Sequence, residues 1–345
     1  MYFARISVIL HSQMKTIYLD DNTREHAACV ATIGMFDGIH LGHRFVISHL
    51  CHVAHERGLL SCVVTFDRHP RQVVGRSSSG KLLTTLDERL LLLSKTGVDV
   101  CVVLPFTEAM AALTAREFML HVLQEQLGVS VLLTGYDNRF GHRTEQNWHE
   151  GFDDYVSYGH SIGMEVQALP PAATTGTAGR PASSSLIRQL LAEGDVAAAN
   201  EQLGLPYFLT GTVVSGEHIG TDLGFPTANL TVAPDKLVPA PGVYAVYVRL
   251  ANSVEQKHGM MNIGHRPTFD GQETTLEVNI FRFGGNLYGQ QLHVAFIDRI
   301  RAERRFDSPE ELAHQLRTDA ITAESLLLPT DSTRRPPMPF DTNEH

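Results

Sequence analysis

Residues 29–43 read CVATIGMFDGIHLGH. The first five are small or apolar with no polar–apolar alternation, which suits a strand covered on both faces of a parallel sheet. Gly34 and Gly38 follow, where a missing side chain lets backbone approach a ligand closely. Residues 42–57 then place Val46, Leu50, Val53 and Ala54 on one helical face, and Gly58 ends it. This strand, glycine loop and helix form one βα unit. The pattern continues through LLSCVVTF (59–66), VDVCVVLPF (98–106), VSVLLTG (129–135) and MEVQALP (164–170). Thr85 with Glu88, and Thr114 with Glu117, have capping-box spacing before two further helices. Alternating strands and helices predict a doubly wound α/β fold for the amino-terminal half.

After about residue 205 the texture changes. FLTGTVVS (208–215), GVYAVYVRL (242–250), GMMNIG (259–264), TLEVNIFRF (275–283) and QLHVAFIDR (291–299) are separated by turns rich in Gly, Pro, Asn and Asp. Strands without intervening helices predict an antiparallel β barrel or sandwich. Ser308, Pro309 and Glu311 supply an N-cap, a first-turn proline and a capping-box acid for one late helix. A helix rich in small residues near 194–206 is expected to link the halves. The tail STRRPPMPFDTNEH has no apolar period and is expected to be disordered. MKTIYLD, from Met14, looks like a strand start, and residues 1–13 are expected to be an extension or the product of a start placed too early.

At roughly 100–200 residues per domain, a chain of 345 residues favours two domains. The formal net charge of −10 removes the surplus of Lys and Arg that non-specific binding to a polyanion depends on. Nucleic acid is therefore not the expected partner, whereas a small phosphorylated ligand, held by local donors and a helix N-terminus, stays allowed. The chain has no run near the roughly 18 apolar residues of a membrane helix, and Ile6–Leu10 is too short for a signal peptide. A cytoplasmic location without membrane contact is expected. Cys29, Cys51, Cys62 and Cys101 contain no CxxC pair and read as buried free thiols.

Open α/β sheets bind ligands beyond the carboxyl ends of their strands. GMFDGIHLGH (34–43), DRHP (67–70), GYDNRFGHR (135–143) and SSSLIR (183–188), which opens a helix, all fall at that edge. His40 and His43, three residues apart at a helix start, can face one ligand and donate to nucleotide phosphates. An isolated histidine pair would read as ordinary loop residues, but the flanking glycines and the sheet edge tip the balance to a site. His49, His52 and His55 lack a carboxylate ligand set and read as a solvated helix face. GRSSSGKL (75–82) has Leu82 where a phosphate-binding loop needs a Ser or Thr, so it is set aside.

Taken in order, GMFDGIHLGH, TFDRHP, GYDNRFG and SSSLIR resemble the adenylyltransferase module of the bifunctional riboflavin kinase/FAD synthetases. The resemblance implies a Rossmann-like nucleotidyltransferase domain in which His40 and His43 bind and neutralise ATP phosphates within a loop that includes Gly34, Phe36, Asp37 and Gly38. It places Asp137 at the nucleotide or flavin site, and Ser184, Ser185 and Arg188 at the phosphate-binding position. GTVVSGEHIGTDLGFPTANL (211–230) is similar to the family's kinase signature, with Gly211, Gly216, Gly220 and Gly224 allowing a phosphate-hugging loop. GMMNIGHRPTF (259–269), LEVNIFRF (276–283) and IRAERRF (300–306) follow in the family's order.

After the turn at Pro226, Thr227 and Asn229 offer oxygen ligands suited to a Mg²⁺ that keeps several waters and bridges phosphates. Glu277 alternates with Leu276, Val278 and Ile280 and so faces away from their apolar side; by resemblance it is the general base on the 5′-hydroxyl of riboflavin. Several positions depart from the family pattern: Arg68 for proline, Asn138 for an aromatic, Ser185 for threonine, Thr221 for arginine, Asn279 for histidine and Arg282 for aspartate. The last reverses a charge beside the expected flavin site.

The resemblance therefore implies an α/β adenylyltransferase domain at 16–193, a linker at 194–206, an antiparallel β-barrel kinase at 207–326 and a disordered 327–345. Riboflavin and ATP would give FMN, and FMN with a second ATP would give FAD and pyrophosphate, each step with Mg²⁺. Two other readings remain: the same fold with one active half, and a non-catalytic flavin- or nucleotide-binding regulator. Loss of His40, His43, Asn229 or Glu277 would mark the regulator, and all four are present. Oligomeric state is left open.

Overall fold

The computed structural model describes residues 10–11, 14–20, 27–68, 80–135, 140–142, 144, 147–170, 181–215, 224–268, 271–328 and 337–340. The chain forms two compact units, Met1–Gly80 with Leu86–Thr175, and Lys81–Thr85 with Gly176–His345.

The first unit is a seven-stranded sheet. Its strands are β1 (Leu10–His11), β2 (Met14–Tyr18), β3 (Cys29–Ile33), β4 (Leu60–Phe66), β5 (Val100–Leu104), β6 (Val129–Thr134) and β7 (Glu165–Ala168). The spatial order is β1-β2-β5-β4-β3-β6-β7. All pairings from β2 to β7 are parallel, and only β1 runs antiparallel, against β2. Every residue of β3 and β5 is buried, which is why neither segment alternates. From β3 the chain steps to β4 and β5 on one side, then returns to β6 and β7 on the other. The order reverses between β3 and β6, so the carboxyl ends of these two strands flank the switch point where such sheets hold ligands.

Helix α1 (Leu41–Arg57) returns the chain from β3 to β4. It stops at Gly58, whose left-handed φ of 64° lets its N–H donate to the carbonyls of Ala54 and His55. Its inward face is Ile47, Leu50, Val53 and Ala54; Val46, expected in that row, is only half-buried. The capping box at Thr114 and Glu117 forms, with Glu117 N donating to Thr114 Oγ1 at 3.3 Å and Thr114 N to the Glu117 carboxylate at 2.9 Å. The helix it starts passes at once into a π-helical segment, Phe118–Gln126, which no sequence signal announced.

The second unit is a closed six-stranded antiparallel barrel, so of the two β architectures left open the barrel is the one formed. Its strands are β8 (Phe208–Val214), β9 (Ala228–Val232), β10 (Gly242–Leu250), β11 (Gln256–Thr268), β12 (Gly271–Ile280) and β13 (Gln291–Arg301), in the order β10-β11-β12-β9-β8-β13. Closure depends on a short contact between β12 and β9, Glu277 opposite Asn229 and Val278 opposite Ala228. The late helix Pro309–Leu327 opens as expected, with Ser308 Oγ accepting from Glu311 N at 3.1 Å. It is pinned to the barrel by Arg301 and Asp319, 2.8 Å apart, with the aspartate 1% exposed.

Three expectations are corrected. The helices Ser184–Glu193 and Val196–Leu203 group with the barrel, not with the first unit or a free linker. Asn200 fixes the second of them by donating to the Phe296 carbonyl at 2.9 Å and accepting from Tyr207 N at 2.7 Å. The tail is not wholly without structure. Met338 and Phe340 are 3% and 1% exposed, and the Phe340 ring stacks on His293 with centroids 5.6 Å apart and lies under the Arg249 guanidinium. A lone aromatic after a proline carries no period, so nothing in the sequence signals this packing. Residues 329–336 and 341–345 lie outside the described residues.

Candidate active sites

The loop from β3 to α1 is wound tightly at the switch point. Phe36, Gly38 and Ile39 all have positive φ, at 49°, 88° and 43°. For Phe36 and Ile39 this is a costly conformation that persists only where surrounding structure enforces it, as functional loops often show. Phe36, Asp37, Ile39 and His40 are all buried. A Cβ on Gly34 would lie 3.3 Å from the Phe36 ring, so a side chain there would press on the ring that walls the loop.

His40 is the N-cap of α1, its Nδ1 accepting from His43 N at 3.3 Å. That bond leaves its proton on Nε2. The two imidazoles stack with centroids 3.7 Å apart and planes 19° from parallel, and the Phe36 ring meets His43 edge-on at 5.3 Å. The first turn of α1 has no acidic residue, so the positive end of its dipole is uncompensated there. Burial, then electrostatic interaction with the neighbouring His40 and with Arg89, hold the His43 pKa well below its usual value. Near neutral pH His43 is therefore an uncharged donor or acceptor, and its buried Nδ1 has no hydrogen-bond partner among the described residues.

Two arginines missed by motif reading frame this loop. Arg44 donates through Nε to the Ile39 carbonyl at 3.0 Å, and burial lowers its pKa. Arg89, on the helix Leu86–Leu93, is 1% exposed. Its Nη1 donates to the Met35 carbonyl at 3.0 Å, Thr65 Oγ1 at 2.8 Å and the Phe66 carbonyl at 2.9 Å. The one available signal was a charged pair, Glu88–Arg89, inside the apolar run LDERLLLL. Asp67 of the expected DRHP cluster has a structural task, accepting from Phe106 N at 2.9 Å and pairing with Arg68 at 3.1 Å. His69, Pro70, Asp137 and Asn138 lie outside the described residues.

Ser184, Ser185 and Arg188 belong to the second unit. Ser183 is the cap of their helix, accepting from Leu186 N at 3.3 Å. Ser184 and Ser185 thus occupy its first turn, where backbone N–H groups favour anions. Arg188 Nε donates to the Lys81 carbonyl at 3.1 Å.

In the barrel, the β9–β12 contact sets Glu277 directly opposite Asn229, and antiparallel partners put their side chains on one face. Glu277 is half-buried between the buried Leu276 and Val278, as the alternation requires. Two open cavities lie at the end of β12. One, of about 360 Å³, is lined by Pro226, Thr227, Val278, Ile280, Phe283 and Tyr288 among others. The second, of about 370 Å³, takes in Gly224, Asn279, Phe281, Arg282, Ile321 and Glu324. Val278 and Asn279 point to opposite sides of the strand, while Pro226, Ile280 and Phe283 line both cavities.

Asn279 donates to the Pro226 carbonyl at 2.7 Å, tying the turn before β9 to β12. Arg282, in a left-handed conformation with φ 56°, pairs with Glu324 at 2.9 Å, so its charge is partly answered at the cavity rim. Gly211 lies in the strand expected at 208–215 rather than in a phosphate loop. It lies inside β8 opposite Val232, where a Cβ would stand 3.1 Å from the Thr231 carbonyl oxygen. Gly224 has φ 81°, as a glycine turn requires, while Gly216, Gly220 and Thr221 lie outside the described residues.

Comparison with known proteins covers both units. The family model for FAD synthetase matches residues 22–184, and that for riboflavin kinase matches residues 203–327. A bifunctional riboflavin kinase/FMN adenylyltransferase of Bacillus subtilis is 35% identical over 89% of this chain and 96% of its own length. The protein of the same description from Escherichia coli is 36% identical over 86% of this chain and 91% of its own. A crystal structure from Streptococcus pneumoniae, titled a macrolide-efflux protein, superposes with a TM-score of 0.79 at 31% identity, covering 90% of this chain and 98% of that one. Among the described residues no helix is long and apolar enough to cross a membrane. Two matched family models in series, and relatives aligned along nearly their whole length, show that the chain belongs to the bifunctional riboflavin kinase/FMN adenylyltransferase family.

Proposed function

We infer that this chain phosphorylates riboflavin to FMN in the barrel unit and adenylylates FMN to FAD, with release of pyrophosphate, through the loop at the β3–β6 switch point. The observation that carries the reading is the presence, in one chain, of two separate constellations. One is the stacked His40–His43 pair capping α1, and the other is Glu277 facing Asn229 across β9 and β12.

In the kinase step Glu277 takes the proton of the riboflavin 5′-hydroxyl as that oxygen attacks the γ-phosphorus of ATP and ADP leaves. Thr227 and Asn229 supply a hydroxyl and an amide oxygen beside the Glu277 carboxylate. That donor set fits a hard divalent ion holding few protein ligands and several waters. Mg²⁺ bound there would neutralise charge on the phosphates. The side chains position the hydroxyl and the nucleotide. The two cavities flanking the end of β12 accommodate the nucleotide and the flavin ring.

In the adenylyl step a phosphate oxygen of FMN attacks the α-phosphorus of ATP. Displacement at phosphorus is promoted chiefly by positioning and by donors aimed at developing charge. The Nε2–H of His40, the ring of His43 and the N-terminus of α1 provide those donors. Riboflavin, FMN and ATP are the partners, and the place of action is the cytoplasm.

Labelled ATP tests the assignment of the two chemistries. Label in the γ-phosphate should enter FMN, and label in the α-phosphate should enter FAD. Transfer of γ-label without α-label would leave only the kinase half of the reading.

A further inference from the structure

We infer that Arg89 is a positioning residue for adenylyl transfer: its guanidinium ties the loop leaving β3 to the end of β4 and so holds the stacked His40–His43 pair in working geometry. The inference rests on the reading of the first unit as an adenylyltransferase.

Arg89 lies 46 residues beyond His43 in the chain, on a helix whose other buried residues include Leu90, Leu92 and Leu93. An arginine 1% exposed in that company carries a large desolvation cost unless its donors are used. Its Nη1 donates to a backbone oxygen of the loop after β3 and to hydroxyl and backbone oxygens at the end of β4. The Met35 carbonyl lies between Gly34 and the left-handed Phe36, in the segment that carries the strain of the site. Thr65 Oγ1 and the Phe66 carbonyl lie where β4 ends beside β3. Thr65 completes the bridge by donating its hydroxyl proton to the same Met35 carbonyl at 3.3 Å. One side chain thus fixes the carbonyl that precedes Phe36, and Phe36 in turn meets the His43 ring. A planar guanidinium can serve several fixed acceptors at once, whereas an ammonium presents a single compact head.

Arg89 also acts on His43 through its charge. Together with His40 it opposes protonation of that ring, in the same direction as burial. The other ionisable groups of the neighbouring segments include Asp37 in the loop, Arg44 in α1, Asp87 and Glu88 on the helix of Arg89, Cys101 in β5, which also lies within reach of the Arg89 charge, and the Asp67–Arg68 pair after β4. A merely structural arginine would leave the proton affinity of His43 to those groups. One that places charge against the ring changes it when removed.

The test compares the full-length wild type with Arg89→Met and Arg89→Lys. FAD formation from supplied FMN is followed in steady state, and the His43 ring is titrated by NMR in the free enzyme with His43→Gln identifying its signal. For Arg89→Met the expected result is a fall in kcat of about 10²-fold, the cost of a misplaced catalytic group, with a smaller change in KM for ATP and a His43 pKa moved upward. Arg89→Lys should lower kcat by about tenfold, having lost the fork, while keeping the His43 titration where the wild type has it. FMN formation by the barrel should be unchanged in both. A kcat within about threefold of wild type in Arg89→Met, or a His43 titration that moves as far in Arg89→Lys as in Arg89→Met, overturns the inference. Should the first unit of Arg89→Met fail to fold, Arg89→Lys decides: lowered kcat with an unmoved titration supports it, and any other combination overturns it. A wild type that makes no FAD would refute the adenylyltransferase reading instead, and the His43 titrations would still report on Arg89.

Discussion

Glu277 and Asn229 owe their juxtaposition to a two-residue strand contact, and His40 and His43 owe theirs to one helix cap. The two pairs belong to different units, so their chemistry should separate cleanly by mutation. On the role we propose for it, Glu277→Gln keeps the shape and removes the base. FMN formation should fall by about 10²- to 10⁴-fold, while FAD formation from supplied FMN stays within about twofold, as read by chromatography of the flavins. His43→Ala should do the reverse, losing FAD formation and sparing the kinase. Equal loss of both activities in either variant would contradict separate sites. His40 and His43 stood out in the sequence through their flanking glycines and their place at the sheet edge, whereas Asn229 and Glu277 were singled out only by the family resemblance, since a turn amide and a carboxylate on a strand's polar face are ordinary by themselves. Arg89 did not stand out, because its partners are backbone oxygens brought near by the sheet, and nothing in LDERLLLL marks where that helix packs. Gly211 carries two readings, a strand position and a phosphate loop, because a glycine needed for close strand approach looks in sequence like one needed for a turn.

At the scale of elements, the buried parallel strands could be read to within one or two residues, since a Val- and Leu-rich run bounded by turn residues has few other uses. The phase of α1 slipped by one position, Ile47 in place of Val46, because both are apolar and adjacent and only packing chooses between them. Barrel closure was not decidable locally, for it depends on β9 meeting β12, 48 residues apart at Asn229 and Glu277. The helix Pro309–Leu327 supplies Ile321 and Glu324 to the second cavity, and its seat is the Arg301–Asp319 pair with Gln315 bonded to the same carboxylate at 2.6 Å. Asp319→Ala would leave the Arg301 charge without its partner in a largely buried place. We expect a loss of about 3 kcal/mol in the unfolding of the barrel unit, measured by denaturant titration, and weaker riboflavin binding as the helix loosens. A loss below about 1 kcal/mol, the level of an exposed pair, would show that the helix is held by its apolar contacts alone.

Over the whole molecule, a chain with a net charge of −10 handles anionic substrates through a few local donors. On the roles we propose, these are the start of α1 with His40 and His43, the helix start at Ser184, and the oxygen ligands Thr227 and Asn229, which would hold a divalent cation to supply positive field. The chain passes between its two units at 80–81, 85–86 and 175–176, so the division is not the single cut that a composition shift suggests. The five residues Lys81–Thr85 join the barrel unit through Leu82, which bridges to Lys236, and the Leu83 carbonyl, which accepts from the buried Lys236 ammonium at 2.6 Å. So short a segment lies beneath the length at which any periodicity shows. Central to the account is one chain with two working nucleotide sites. The direct measurement is incubation of the purified protein with riboflavin, ATP and Mg²⁺, resolving the flavins over time: FMN should appear first and then FAD, with ADP and pyrophosphate as co-products. Accumulation of neither flavin, or FMN that never becomes FAD even when FMN is supplied in excess, would contradict it.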